Sequence, residues 1–161
     1  MSAHDELGPG QSRYGFEVSG LYLTAPAVVV TEAVAKATIY PVPKSAHALV
    51  GVINHRGITV PIFDLLPALG ARTGLRPIER DILVFGQGED SVGMLMNHSP
   101  VLMVLHALAD ILPKPGSPLD AYLSNPMVAA QSAATVWWDF DYQSAFKMLA
   151  VLTRTTAASI R

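Results

Sequence analysis

The side chains that most often bind metal ions are scattered along this chain. The 161 residues contain no cysteine, so disulfides and cysteine-based zinc sites are excluded. Histidine is the other common zinc ligand, and no two histidines stand at the His-x-x-x-His spacing that places both rings on one face of a helix. The five histidines are His4, His47, His55, His98 and His106. We therefore expect no metal site.

No residue pattern for catalysis is complete either. The Gly-Gln-Gly run at 86–88 lacks the further glycine and the lysine of a phosphate-binding loop, and no serine occupies a Gly-x-Ser-x-Gly turn. Asp139 and Asp141 stand two residues apart and would share one face of a strand. Beside Trp137 and Trp138 they are more typical of strand-end and turn residues. The sequence thus predicts a non-enzymatic protein with no catalytic residue and no cofactor.

Composition limits the classes of partner. Charged residues make up 15% of the chain and hydrophobic residues 50%, whereas an average globular protein is about 25% charged. Either some apolar surface is exposed for a partner or for self-association, or a large core lies beneath a bland surface. Composition leaves both open. The net charge of −2 and the lack of a long basic run argue against a nucleic-acid partner.

The terminus and the apolar runs indicate a cytoplasmic protein. Residues 1–11 lack the basic and then apolar order of a signal peptide. No run approaches the ~20 apolar residues that a membrane helix needs. We expect a soluble protein in a reducing compartment, complete in itself, with no direct membrane insertion.

Residues 49–69, LVGVINHRGITVPIFDLLPAL, carry the strongest structural signal. Two apolar runs rich in β-branched residues, 49–53 and 58–63, flank the turn Asn-His-Arg-Gly, which predicts a β-hairpin. Gly57 supplies the residue at positive φ that a tight turn usually needs. The turn projects Arg56 outward, either as a solvated charge or as a guanidinium fork for a partner. The hairpin alone leaves these two roles open.

The second half of this run predicts how the hairpin ends. Pro61 has no backbone N–H to donate to a neighbouring strand, so it must face outward, lie at an edge or mark a bulge. Asp64 ends the strand and is a candidate cap for a short helix over residues 65–69. Gly70 would close that helix.

The run from Gly51 to Leu65, GVINHRGITVPIFDL, resembles the signature of the CheW-like chemotaxis adaptor family. The positions that match in register are Gly51, Asn54, Arg56, Gly57, Pro61, Asp64 and Leu65. Residues 30–34, VTEAV, and 40–43, YPVP, are similar to the Val-rich turn with a glutamate and the Pro-x-Pro segment that precede the signature. His55 departs from the family, which more often has an apolar residue there. The resemblance covers roughly residues 14–152.

Short strands dominate the rest of the chain. Tyr14, Phe16 and Val18 alternate with polar or small residues, which predicts a half-buried strand. Further strands are predicted at residues 21–23, 82–85, 91–96, 101–105, 127–130 and 135–140. Nine or ten short strands favour a small barrel or a sandwich. The family resemblance implies an all-β fold of two SH3-like five-stranded β-barrels that share one hydrophobic core.

A few short helices and flexible ends complete the prediction. The i, i+4 spacing of Val30 and Val34 predicts a helix over residues 32–37, and residues 146–149 predict another. Residues 71–80 are a polar linker. The expected domain is 13–154, between a flexible tail, 1–12, and a frayed C-terminus, 155–161.

The resemblance also implies a function. Members of this family are adaptors that couple chemoreceptors (methyl-accepting proteins) to a CheA-type histidine kinase, in flagellar chemotaxis or in type IV pilus twitching motility. Such an adaptor would be recruited to membrane receptor arrays through its partners. The residues that the resemblance places at a partner surface are Glu32, Asn54, His55, Arg56, Gly57 and Ile58. The alternative is a small-ligand-binding or enzymatic β-barrel protein, which would need convergent polar groups in a cleft.

Overall fold

Two five-stranded sheets make up most of the protein. The computed structural model describes residues 7–43, 48–71 and 79–158. The described residues form ten strands, β1 to β10, and one helix, α1. In chain order these elements are Gly10–Val18, Leu21–Thr24, Thr31–Thr38, Leu49–His55, Ile58–Phe63, Glu79–Phe85, Val92–Leu95, Val101–Ala107, Leu123–Ala129, Ser132–Phe140 and α1, Tyr142–Ala158. Short 3-10 turns lie at Pro67–Leu69, Gly88–Asp90 and Asp120–Tyr122.

The first sheet closes on itself. Its order is β1-β2-β10-β9-β8, with β8 paired back onto β1. Closure leaves no unpaired edge that could associate with another chain. Neighbouring strands are antiparallel except β10 and β2, which run parallel through the pairs Trp138–Leu23 and Asp139–Thr24.

The second sheet has the order β3-β6-β7-β5-β4. Tyr40, two residues beyond β3, exchanges two backbone hydrogen bonds with Val52 of β4, at 2.8 and 2.9 Å. This bridge joins the β3 end of the sheet to its β4 edge, so the second sheet also curls toward a barrel. The prediction of two barrels is confirmed in this form.

One hydrophobic core lies between the two sheets and α1. Phe16, Leu23 and Phe140 come from the first sheet, whereas Phe63 and Phe85 come from the second. The buried side of α1 adds Tyr142, Ala145, Phe146 and Leu149. The second sheet also has a core of its own, built from Ile39, Val50, Ile53, Val60, Ile62, Ile82, Val84 and Leu95. The shared core that the family resemblance implied is therefore present.

The predicted hairpin is β4 and β5, paired from His55–Ile58 back to Leu49–Phe63. Gly57 has φ +80°, as the turn requires. Pro61 lies opposite Val52, whose backbone N–H and C=O both bond to Tyr40 on the other side of β4. The hairpin therefore needs no N–H donor from Pro61.

The turn after the hairpin is shorter than predicted. The buried Asp64 carboxylate accepts a hydrogen bond from the Leu66 N–H at 3.0 Å. A 3-10 turn follows at Pro67–Leu69, and Gly70 ends it at φ +73°. The predicted helix over 65–69 is thus a single tight turn.

The predicted helix over residues 32–37 is wrong, because these residues belong to β3. The pairing of β3 with β6 shifts between Val34 and Ala37, and Lys36 in this bulge has φ +51°. The bulge turns both Val34 and Ala37 toward the second sheet's core. The predicted helix rested on Val30 and Val34, whose four-residue separation fits one face of a strand as well as one face of a helix.

Several boundaries differ from those expected. Strand β1 begins at Gly10, inside the predicted tail, and α1 runs from Tyr142 to Ala158 rather than over 146–149. Residues 1–6, 159–161 and most of the predicted linker lie outside the described residues. His4 and His47 lie outside them as well.

Candidate partner-binding site

The tip of the β4–β5 hairpin is held by its own residues. The Asn54 side-chain oxygen accepts a hydrogen bond from the Gly57 N–H at 3.0 Å. Arg56 and Gly57 both have positive φ, +53° and +80°. Asn54 thereby provides a hydrogen-bond acceptor for a backbone N–H of the turn. The two residues in the left-handed backbone conformation reverse the direction of the chain. Asn54 and Gly57 fix the geometry from which Arg56 extends.

Glu32 on β3 contacts two side chains of the tip, those of His55 and Arg56. One carboxylate oxygen, Oε1, accepts a hydrogen bond from Arg56 Nη2 at 2.8 Å. The other, Oε2, lies 3.1 Å from His55 Nε2. One carboxylate therefore bridges neighbouring residues of the turn. This contact depends on β3 being a strand, since the curl of the second sheet brings β3 to the hairpin tip.

Exposure differs sharply within this cluster. The Arg56 side chain is 75% exposed, whereas those of Glu32 and His55 are 39% and 19% exposed. An ion pair this exposed contributes about 0–1 kcal/mol to stability, because water screens the charges. The main consequence of the pair is positional. Glu32 orients the Arg56 guanidinium, most of whose surface still faces solvent.

A pocket of about 190 Å³ lies beside the tip. The hairpin, the start of β3 and the β6–β7 loop enclose it, and its lining includes Val30, Glu32, His55, Arg56, Ile58, Val84, Gln87 and Ser91. The Gly86 N–H donates to the Val30 carbonyl at 2.8 Å and holds that loop against β3. The apolar lining and the guanidinium together suit a partner surface that combines an apolar side chain with a hydrogen-bond acceptor.

The structure brings four of the six sequence-predicted residues to this pocket: Glu32, His55, Arg56 and Ile58. Asn54 and Gly57 are exposed at the turn and shape it instead. The sequence did not identify Val30, Gln87 or Ser91 as part of the site. For Val30, the available sequence signal was the run of valines at 28–30 that precedes Glu32. In the structure Val28 and Val30 are exposed.

The two aspartates considered for acid–base chemistry have structural partners. Asp139 accepts hydrogen bonds from Arg13, Thr24 and Asn125. Asp141 follows β10 and accepts from the Ser144 N–H at 3.2 Å, at the start of α1. Among the described residues, no three His, Asp or Glu side chains are grouped to hold a metal ion. No helix in that same part of the chain is long and apolar enough to span a membrane.

Comparison with known proteins agrees with the fold. The structure is similar to the crystal structure of the scaffolding protein TtCheW from Thermoanaerobacter tengcongensis, with a TM-score of 0.58 and 14% sequence identity, over 83% of this chain and 90% of that one. No curated protein sequence matches this chain. The family model of the CheW-like domain matches residues 14–120, more than half of the 161 residues. The chain therefore belongs to the CheW-like domain family.

Proposed function

We propose that this protein is a non-enzymatic adaptor that couples chemoreceptors to a CheA-type histidine kinase. Its membership of the CheW-like domain family and its similarity in fold to a scaffolding protein support this function. One observation links the proposed binding to particular residues. Arg56 is 75% exposed, yet Glu32 holds its guanidinium in a defined position at the hairpin tip.

The hairpin tip combines the features of an interface anchor. Arginine is enriched among the residues that dominate binding energy, since its planar fork donates several hydrogen bonds at once. Val30, which is half exposed, and Ile58 provide apolar surface beside it. A partner would contribute an acceptor to Arg56 and an apolar side chain to the pocket. We include Asn54 and Gly57 because they set the position of the turn.

The proposal places the protein in the cytoplasm, at membrane receptor arrays to which its partners recruit it. The signalling output is flagellar chemotaxis or type IV pilus twitching motility. No nucleic acid takes part, and the protein performs no catalytic step of its own. Its contribution is to hold receptor and kinase in one assembly.

Calorimetric titration tests the function with two ligands, the regulatory domain of the CheA-type kinase and the cytoplasmic tip of a chemoreceptor. The wild-type protein is compared with Arg56→Ala and with Lys147→Ala. Lys147 is an exposed cation on α1 that does not line the hairpin-tip pocket, so this control removes the same charge elsewhere. We expect Arg56→Ala to weaken binding to at least one ligand by about tenfold or more, and Lys147→Ala to leave both unchanged.

The unfolding midpoint of each variant is measured in parallel. Since the Arg56–Glu32 pair is exposed, Arg56→Ala should unfold within about 1 kcal/mol of the wild type. Failure of the wild-type protein to bind either ligand would reject the adaptor function. Equal weakening by Arg56→Ala and Lys147→Ala would reject the hairpin tip as the binding surface, because the loss would then follow net charge.

A further inference from the structure

The closed barrel has a second face that does not contribute to the shared core. Along β1, Phe16 and Val18 are buried in that core, while Arg13, Gly15 and Glu17 point to the opposite side of the strand. Strand pairing places Tyr22 opposite Glu17, and Met103 opposite Arg13. Residues that pair directly share a face of the sheet. Tyr22 and Met103 therefore lie on the face opposite to Phe16 and Val18.

Tyr22 and Met103 of this face line a pocket of about 430 Å³. Tyr22 and Trp137 form its aromatic wall, with ring centroids 5.1 Å apart and planes inclined by 69°. The remaining lining residues are Met103, Val104, Ala129, Gln131, Ser132 and Thr135. None of the eight carries a charge. The volume lies within the range of roughly 300–1,000 Å³ that is typical of small-molecule sites.

Gly15 lets the aromatic wall lie close to the sheet. A Cβ at this position would be 2.8 Å from Trp137 Cζ3 and 2.9 Å from Met103 Cε. Any larger residue would therefore push both side chains outward. Because Gly15 has no side chain, the Trp137 ring and the Met103 thioether can pack against the β1 backbone. Both groups form part of the pocket lining there.

An irregular stretch of β10 supplies the other side of the pocket. From Ser132 to Trp137 the chain advances five residues, while the paired strand β9 advances only two, from Ala129 to Met127. The extra residues leave the ladder and widen the space beside β9. Bulges of this kind often re-aim side chains at binding sites. Here the irregular stretch contributes Ser132, Thr135 and Trp137 to the lining.

We propose that this pocket binds a neutral aromatic small molecule. Tyr22 and Trp137 offer a face and an edge to an aromatic ring, and the Met103 thioether is a favourable neighbour for such a ring. Gln131, Ser132 and Thr135 supply hydrogen-bonding groups for one polar substituent. A charged ligand would find no opposite charge in the lining. The site shares no lining residue with the hairpin-tip pocket, so the two pockets are separate.

Nuclear magnetic resonance with indole as the probe tests this site. The chain has two tryptophans, Trp137 and Trp138. Trp138 is buried in the shared core, whereas Trp137 lines the pocket. Their side-chain N–H signals in the nitrogen-15-labelled protein are distinguished with a Trp137→Phe variant. We expect indole to shift the Trp137 signal saturably while the Trp138 signal stays nearly still.

Two matched variants locate the binding. Ala129→Leu adds a branched side chain to the pocket lining, and Ala134→Leu makes the same change at an exposed position of β10 outside it. We expect Ala129→Leu to weaken indole binding by about tenfold or more, and Ala134→Leu to leave it unchanged. Non-saturable shifts in the wild type would overturn the proposal. Unchanged binding by a folded Ala129→Leu protein would overturn it equally.

Discussion

Phe63 of β5 and Phe146 of α1 stack face to face, with ring centroids 4.9 Å apart and planes inclined by only 11°. A second stack joins Phe85 of β6 to Tyr142, at 4.6 Å and 15°. The helix follows the last strand of the closed barrel in sequence, yet both stacks attach it to the second sheet. The two barrels are thus joined through α1 as well as through their facing strands.

Removing either ring of the first stack should destabilise the whole fold. Phe63 and Phe146 are both buried in the shared core, and a buried Phe→Ala change typically costs about 3–5 kcal/mol. We expect Phe63→Ala and Phe146→Ala each to lower the free energy of unfolding by that amount in urea denaturation. Lys147→Ala, on the exposed side of α1, is the control and should change it little. A loss below about 1 kcal/mol for Phe63→Ala would place this residue outside the cooperative core.

Local pattern predicted the strands well where one face is buried. Along β1, Phe16 and Val18 lie in the shared core on either side of the half-exposed Glu17. The hairpin was also predicted, because its turn residues and its two apolar runs both indicate a β-hairpin. The same reasoning failed at β3, because the four-residue separation of Val30 and Val34 fits one face of a strand as well as one face of a helix.

The candidate site could be predicted only in part, because its contacts join residues far apart in sequence. Arg56 is visible as a turn residue, but its ion pair with Glu32 spans 24 positions. Only the family resemblance had named Glu32. The pocket beside Trp137 had no sequence signal, since it depends on how β10 slips relative to β9.

A buried ion pair inside the closed barrel should matter more for stability than the exposed pair at the hairpin tip. The Arg13 and Asp139 side chains are 5% and 14% exposed and form an ion pair. Arg13 also donates to the Ala25 carbonyl at 3.1 Å, and Asp139 accepts from Thr24 at 2.7 Å. The network thus fastens β1, β2 and β10 together.

Asp139→Ala should therefore lower the free energy of unfolding by about 3–5 kcal/mol, because it leaves the Arg13 charge buried without its carboxylate. The double variant Arg13→Met, Asp139→Leu should lose less than Asp139→Ala alone, since it buries no unpaired charge. Chemical denaturation of the three proteins gives both values. If the double variant were the less stable one, the cost would come from lost hydrogen bonds and packing rather than from an unpaired charge.

Gly51 should be needed for the bridge that curls the second sheet. A Cβ at Gly51 would overlap the carbonyl oxygen of Tyr40, whose backbone pairs with Val52. Gly51→Ala should separate these segments and cost about 1–3 kcal/mol. Amide hydrogen exchange should accelerate at the N–H groups of Tyr40 and Val52. Gly8→Ala is the control, because a Cβ at Gly8 would meet no atom within 4 Å. Unchanged exchange in Gly51→Ala would mean that the bridge tolerates a side chain there.

The phenol group of Tyr142 should make stability fall at alkaline pH. Burial raises the pKa of this phenol above its usual value of 10.0, and the neighbouring Asp141 charge raises it further, while a hydrogen bond with Gln143 lowers it. The folded protein therefore keeps this proton at a pH where the unfolded chain has begun to lose it. The contribution to stability is complete below about pH 10 and declines as the pH rises through the folded-state pKa.

Urea unfolding between about pH 9 and pH 11 measures this decline, which can reach about 1.4 kcal/mol per pH unit for one proton. The comparison is with Tyr142→Phe, so that the difference between the two proteins isolates this hydroxyl. That variant keeps an aromatic ring to stack on Phe85 and lacks the ionisable group. Its stability should fall less steeply above pH 10 than that of the wild type. Equal slopes would mean that the Tyr142 hydroxyl ionises as readily in the folded protein as in the unfolded chain.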